Sequence, residues 1–412
     1  MATRRARPSD VACALVAIGG VGLSALDGSV AWCLVRLAVI VGACVAVAVI
    51  CRAWRPRRAA LVLVGVGTIA AAAGGTIAWS HLGTTGVSPK AIGGLLALAG
   101  GVGALTIGTS GLLRAAHGWR PCLAIPIAAA VVYVVVLPVT IAVYATNVPR
   151  PSVGSTTPAD LGFDFVDATF TASDGVELSG WYIPSTNGGA VVLLHGASST
   201  RSNVLDRAAA IAAHGYGVLL YDARGHGRSG GRAMELGWYG DRDVSAAVDF
   251  LEHRPDVDPR RIGAIGMSMG GEQVIGAMGA DPRIAAGIAE GATNRVFGDK
   301  AWLAHQYGVR GWVQRGPDWI SYRLADLLTA ARPPITLRSA VVAAAPRRLL
   351  LIAAGTRADE QHAGEWIRAA SPDTVELWVV PGAGHTGGLR TSPAAWTARV
   401  VGFLDANLPA NT

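Results

Sequence analysis

A serine, a pair of adjacent carboxylates and a histidine stand in the second half of the chain, each just past an apolar run: Ser268, Asp359 and Glu360, and His385. Together these residue types can do nucleophilic chemistry on a carbonyl. A serine hydroxyl is a weak nucleophile until a base takes its proton and an acid orients that base. Ser268 lies in Gly266-Met267-Ser268-Met269-Gly270, directly after the apolar run Arg261–Ile265 and before the helix-like Gly271–Met278. The G-x-S-x-G spacing predicts a strand–turn–helix so tight that a side chain two residues either side of the serine would clash. The hydroxyl is then raised at the end of the strand. Arg348–Ala354 reads as a fully buried strand and ends in Gly355-Thr356-Arg357-Ala358-Asp359-Glu360, a turn that offers a carboxylate. Thr374–Val380 reads as a further strand and ends in Pro381-Gly382-Ala383-Gly384-His385. Three strand ends therefore carry Ser, Asp/Glu and His, and functional groups of open α/β sheets gather at the carboxyl ends of their strands.

A further strand, Ala190–Leu194, runs into His195-Gly196-Ala197-Ser198-Ser199, and Tyr221-Asp222-Ala223-Arg224-Gly225-His226-Gly227-Arg228-Ser229 forms a D-x-R-G-x-G-x-S turn. With His195-Gly196, the Ser268 pentapeptide and Gly384-His385, this turn makes residues 163–408 resemble the α/β-hydrolase superfamily. The resemblance is strongest to the bacterial serine-hydrolase branch related to prolyl-oligopeptidase and dienelactone-hydrolase-like enzymes. It implies a triad in the chain order Ser, acid, His, here Ser268, Asp359 and His385. The acid loop departs from the G-x-x-D pattern common in the family, because Asp359 is four residues past Gly355, so Glu360 stands as the alternative acid. The resemblance also implies an oxyanion hole made by the backbone N–H groups of Ala197 and Met269. His195 in that loop is expected to be structural or to border the substrate pocket. Asp222 and Arg224 are expected to hold their own turn.

These residues need a scaffold, and the sequence supplies one. Phe163–Phe170 and Val176–Ile183 flank Ser173-Asp174-Gly175, a turn signal, and read as an antiparallel pair. Strands and helices then alternate, which predicts a doubly wound, mostly parallel sheet over 161–412. The alternation breaks at about 293–345, where Trp302, Tyr307, Trp312, Trp319 and Tyr322 cluster without a strand. This segment is expected to be a helical lid whose tryptophans Trp302, Trp312 and Trp319 shape the pocket, or a helical insert that packs on its own aromatics.

The first 147 residues are of another kind. Apolar stretches at about 11–26, 30–51, 59–79, 91–113 and 122–144 are rich in Gly and Ala, and most are long enough to cross a hydrocarbon core. They predict an α-helical bundle of about five transmembrane helices, the first being the shortest, with Asp27-Gly28-Ser29 as the turn between the first two. Arginines mark alternate connections: Arg4, Arg5 and Arg7, then Arg52, Arg55, Arg57 and Arg58, then Arg114 and Arg120. The positive-inside rule places those connections in the cytoplasm and everything after the fifth span outside it. Residues 148–160, rich in Pro, Ser, Thr and Gly, read as an extended linker.

The net charge of +7 divides unevenly. Residues 1–149 hold 11 of the 35 Lys/Arg and 2 of the 28 Asp/Glu, and the remainder is slightly acidic. The basic balance therefore reflects membrane orientation and gives no sign of nucleic-acid binding. All five cysteines (Cys13, Cys33, Cys44, Cys51, Cys122) lie in the apolar part, so the second part has neither a disulfide nor a thiolate zinc site. Arg outnumbers Lys 33 to 2, a bias of GC-rich bacterial genomes. The sequence thus predicts a membrane-anchored serine hydrolase without metal or organic cofactor, acting on a small ester or amide. Ester cleavage is the first expectation and peptide or amide cleavage the alternative. A non-catalytic binding or sensory protein is the reading that an intact triad disfavours.

Overall fold

In a computed structural model the chain is described over residues 8–24 and 30–408. Arg4, Arg5, Arg7, the Asp27–Ser29 turn and the C-terminal residues after Leu408 lie outside the described residues. The chain divides into two units, Met1–Pro149 with Gly316–Leu328, and Arg150–Arg315 with Thr329–Thr412.

The first unit begins with helices α1 (Pro8–Ser24), α2 (Val30–Ala53), α3 (Pro56–Thr85) and α4 (Pro89–Arg114). It continues with a helical run Arg120–Asn147, made of a 3₁₀ turn, α5 (Ala124–Val131), a π turn (Val132–Val136) and α6 (Leu137–Asn147). The π turn directly precedes Pro138, whose missing N–H and bulky ring displace the regular hydrogen-bond ladder. Cys33–Ala53, Pro56–Thr85, Pro89–Arg114 and Arg120–Asn147 are long and apolar enough to cross a membrane, and the apolar part of α1, Val11–Ser24, is shorter. Among the described residues, four helices therefore meet the length for a crossing, where about five spans are expected from the sequence. α3 and α4 meet backbone to backbone. A Cβ on Gly74 would lie 2.6 Å from Leu98 N, and one on Gly94 would lie 2.6 Å from Ala78 N. Small residues permit this approach, as apolar helix pairs require where burial alone gives no driving force. Arg57 Nη2 donates to Ala115 O at 3.1 Å, which brings the Arg52–Arg58 and Arg114–Arg120 connections to one end of the bundle.

The second unit is built on one eight-stranded sheet in the order β1-β2-β4-β3-β5-β6-β7-β8. The strands are β1 (Val166–Thr171), β2 (Glu177–Ile183), β3 (Ala190–Leu194), β4 (Gly217–Tyr221), β5 (Ile262–Met267), β6 (Ala286–Glu290), β7 (Arg348–Ala354) and β8 (Val375–Val380). β1, β2 and β4 pair antiparallel, and every pairing from β4 through β3 to β8 is parallel. β3, β4, β5 and β6 are buried at every residue, as expected of strands covered on both faces. The helices packed around the sheet are α7 (Leu205–Ala212), α8 (Gly240–Glu252), α9 (Met269–Ala280), α11 (Leu337–Ala344), α12 (Ala358–Arg368) and a C-terminal helix Pro393–Asn407, while α10 (Ala301–Leu328) forms the segment between β6 and α11.

Two expectations change here. The linker is not a free tether beyond Arg150. The Arg150 guanidinium donates to the carbonyls of Gly227, Ser229 and Gly231, Pro151 O accepts from Gly227 N at 3.0 Å, and Gly154 N donates to Ser202 Oγ at 3.0 Å. The predicted insert is helical, with a break at Gly308, but its tryptophans differ in environment. Trp302 is buried, whereas Trp312 and Trp319 are 64% and 50% exposed.

Candidate active site

The parallel strands end together, and each end places one group. Ser268 follows β5 with φ 54° and ψ −120°, a strained backbone for a residue with a side chain. The two flanking glycines make that turn possible. A Cβ on Gly266 would fall 2.2 Å from Gly270 O, and one on Gly270 would fall 2.6 Å from His195 O. Ser268 N donates to Glu290 O at 2.7 Å, which ties the turn to the end of β6.

His385 stands in the loop after β8. Its Nε2 lies 2.9 Å from Ser268 Oγ and its Nδ1 lies 2.6 Å from Glu360 Oε1. This network assigns the Nδ1–H as donor to Glu360 and leaves Nε2 to accept from the serine hydroxyl. Glu360 is on the first turn of α12, and its other oxygen, Oε2, accepts from Ala354 N at 3.0 Å. Burial raises the Glu360 carboxyl, but the hydrogen bonds from His385 and Ala354 outweigh it and leave the group below the ordinary glutamate range. The same hydrogen bond raises the His385 imidazole above its ordinary value against the effect of burial. The Glu360 side chain is 8% exposed and the His385 side chain 45% exposed, so the pair has a dry end and a wet end.

Asp359, the acid expected from the sequence, is corrected by this geometry. Its Oδ1 accepts from Tyr307 Oη at 3.2 Å, and Glu360 is the carboxylate on the histidine. α12 begins at Ala358, so residues 359 and 360 point about 100° apart around a helix, and only the second faces the sheet. The expected pocket residues have the following places. Trp302 packs with Tyr307 and His362 beside α12, and His195 is buried. A cleft of about 530 Å³ borders the histidine, lined by Thr293, the segment Thr356–Glu360 and His385.

His195 has a structural place. Its Nδ1 lies 2.7 Å from Gly196 O, its Nε2 accepts from Ala223 N at 2.9 Å, and the ring meets His226 at a centroid distance of 5.0 Å. Burial, with His226 beside it, pushes its imidazole down to about 3, so it stays neutral and keeps accepting from Ala223. The loop it anchors lies against the serine: a Cβ on Gly196 would be 3.3 Å from Ser268 Cβ. Ala197 follows Gly196 in that loop, and Met269 opens α9. Asp222 holds its turn as expected, accepting from Arg201 N and Arg228 N at 2.9 Å each. Arg224 pairs with Asp243 and Asp174.

Three groups around the site have no motif and were not singled out in the sequence. Glu290, at the end of β6, accepts from Gly388 N at 2.7 Å and Trp396 Nε1 at 3.0 Å. Arg207 Nη2 donates to Thr386 O at 2.5 Å, so both ends of the His385 loop are held. Glu272, one turn into α9, accepts from Thr293 N at 3.2 Å and Asn294 N at 2.9 Å. Burial pushes its carboxyl up to about 7. The segment fixed by Glu272 follows Gly291, whose φ is +74° and whose added Cβ would lie 2.9 Å from His385 Cε1. The only available sequence signal was position: Glu272 one turn after the serine, Glu290 at a strand end.

Comparison with known proteins agrees with this architecture. Residues 185–315 match the family model described as serine aminopeptidase, S33. An esterase of Pyrococcus furiosus superposes with a TM-score of 0.50 at 28% identity, covering 63% of this chain and 98% of that one. The chain has the α/β-hydrolase fold and is similar to the serine hydrolases of that superfamily. An uncharacterized protein of Mycobacterium tuberculosis is 40% identical over 131 residues, 31% of this chain and 44% of that protein. The protein YfhR of Salmonella typhi is 32% identical over 155 residues, 36% of this chain and 51% of that protein. The chain thus spans about half the length of the curated relatives it matches. As an α/β-hydrolase it carries the sheet order, the elbow and the strand-end loops of that fold, with an apolar helical unit before them.

Proposed function

We propose that this α/β-hydrolase is a membrane-anchored enzyme that cleaves carboxylic esters through an acyl-enzyme, with Ser268 as nucleophile, His385 as base and Glu360 as the orienting acid. The observation that carries the reading is the unbroken relay of Ser268 Oγ, His385 Nε2, His385 Nδ1 and Glu360 Oε1. Ser268 Oγ attacks the ester carbonyl while Nε2 takes its proton. The tetrahedral oxygen is held by the N–H groups of Ala197 and Met269, a contribution of roughly 3–4 kcal/mol per donor where one has been removed. The imidazolium, stabilised by Glu360, gives its proton to the departing alkoxide, and the alcohol leaves. A water then repeats the sequence on the acyl-serine and releases the acid. The Pyrococcus esterase supports an ester over an amide, and the serine aminopeptidase family model supports the amide as a second reading.

The four long apolar helices support anchoring in a bilayer, and the two arginine-rich connections at one end of the bundle support a cytoplasmic face there. The hydrolase domain would then lie outside the cytoplasm. The test uses membranes that carry the full chain. A fluorophosphonate should label the wild type and fail to label Ser268→Ala. Undiminished labelling of the variant overturns the assignment, and a panel of 4-nitrophenyl esters and aminoacyl amides then separates the two readings.

A further inference from the structure

The cleft beside His385 carries three charged side chains, and two of them are engaged. Glu360 accepts from His385 and Ala354 N, and Asp359 accepts from Tyr307. The third is Arg357. Among the described residues its guanidinium has neither a hydrogen bond nor an ion pair, and it is exposed on the cleft wall. Its backbone is fixed. Arg357 N donates to Ala354 O at 3.2 Å, and Arg357 O accepts from Glu360 N at 3.1 Å, so the turn that sets the acid also sets the arginine.

A free cation here has an electrostatic cost for the chemistry. The positive charge of Arg357 lowers the affinity of His385 for a proton, and that proton must be held in the transition state. The same charge favours the Glu360 carboxylate, but its repulsion of the imidazolium remains unless something neutralises it when substrate is bound. Water screens the charge in the open cleft, but a bound acyl group excludes that water.

Resting on the ester-hydrolase reading above, we propose that Arg357 is a specificity-determining residue: the substrate of this site is an ester that carries an anionic group near its scissile carbonyl, seated on the Arg357 guanidinium. A planar guanidinium suits carboxylate and phosphate oxygens alike through paired N–H donors. The bound anion then cancels the repulsion between Arg357 and the imidazolium, so anionic substrates gain in the transition state as well as in binding.

The test uses the purified full-length protein at low ionic strength, with mono-4-nitrophenyl adipate and 4-nitrophenyl hexanoate as a matched anionic and neutral pair. The wild type should favour the adipate in kcat/KM by about five- to tenfold, the scale of one partly solvated charge pair. Added salt should shrink that ratio. Arg357→Gln should bring it to about one, and Arg357→Lys should retain part of it. Equal kcat/KM for the two esters in the wild type, or a ratio that Arg357→Gln leaves unchanged, overturns the proposal. A phosphate-bearing ester of matched length separates a carboxylate substrate from a phosphorylated one. If the serine labels with fluorophosphonate yet neither ester turns over, the ester reading fails. Labelling rates with carboxylate-bearing and neutral fluorophosphonates then read Arg357 directly, and equal rates overturn the anion site.

Discussion

Replacing Glu360 is the sharpest test of the site. Glu360→Ala removes two hydrogen bonds at once, the 2.6 Å contact to His385 Nδ1 and the 3.0 Å contact to Ala354 N. The first loss acts on chemistry. Without the carboxylate the ring is no longer held in the tautomer that leaves Nε2 free, and the imidazolium loses its charge partner. Comparable losses in serine hydrolases lower turnover by about 10³–10⁴, or about 4–5.5 kcal/mol at 1.36 kcal/mol per decade. The second loss acts on stability, because a buried N–H left without an acceptor costs about 1–3 kcal/mol. Glu360→Gln separates the two. Its side-chain oxygen can still accept from Ala354, while its amide offers a donor to Nδ1, where an acceptor is needed. It should keep the melting temperature near wild type and still lose about 10³ or more in kcat. Asp359→Ala loses one exposed contact to Tyr307 and should change kcat by less than about threefold. The assay is hydrolysis of a 4-nitrophenyl ester across pH. Glu360 raises the His385 pKa, so the acid limb of kcat/KM should move to lower pH in Glu360→Gln, towards or below the ordinary histidine value. A large loss in Asp359→Ala with a small one in both Glu360 variants would refute this reasoning.

Three further outcomes are expected. The Glu272 carboxyl is raised to about 7 by burial, so the folded state holds a proton that the unfolded chain releases near 4.5. Stability should therefore fall as pH rises between those values, by about 1–3 kcal/mol; urea midpoints at pH 5 and 8 should differ in the wild type and converge in Glu272→Gln. Gly291→Ala combines a φ of +74° with a Cβ 2.9 Å from His385 Cε1, so it should lower kcat at least tenfold and stability by about 1–2 kcal/mol, measured by turnover and thermal melting. A reporter fused to the C-terminus should be on if it works only outside the cytoplasm and off if it works only inside, and the reverse pattern would mean that one of the apolar helices does not cross.

What the sequence could and could not reveal follows from the range of the forces involved. The elbow is a local object. Tight backbone approach around Ser268 demands glycine at both flanks, and β5 demands apolar residues before it, so composition alone displays it. The same holds for β7, whose buried run is long, and for the apolar strand β8 with the glycine-rich loop before His385. β6 is only Ala-Gly-Ile-Ala-Glu, too short and too small to stand out, and so Glu290 at its end stayed unmarked. The expected tether failed for a different reason. Pro, Ser and Thr predict a chain with little to bury, which is correct, but Arg150 fixes that chain through three carbonyls of a distant turn.

The acid is the most instructive case, because both candidates are carboxylates and they are adjacent. Proximity to the strand end favours Asp359 if residues 355–360 form an open turn. They do not, since α12 starts at Ala358 and turns successive side chains about 100° apart. That rotation sends Asp359 toward Tyr307 and carries Glu360 back over the end of β7, where Ala354 N is waiting for an acceptor. The extra methylene of glutamate then spans the distance to His385 Nδ1 while its second oxygen remains on Ala354. Glu360→Asp should therefore fail to keep both bonds, and double substitution with Asp359→Glu should not restore them, because the longer side chain at 359 would still leave the helix in the wrong direction. Restored turnover in the double variant would show that reach rather than helical phase selects the acid.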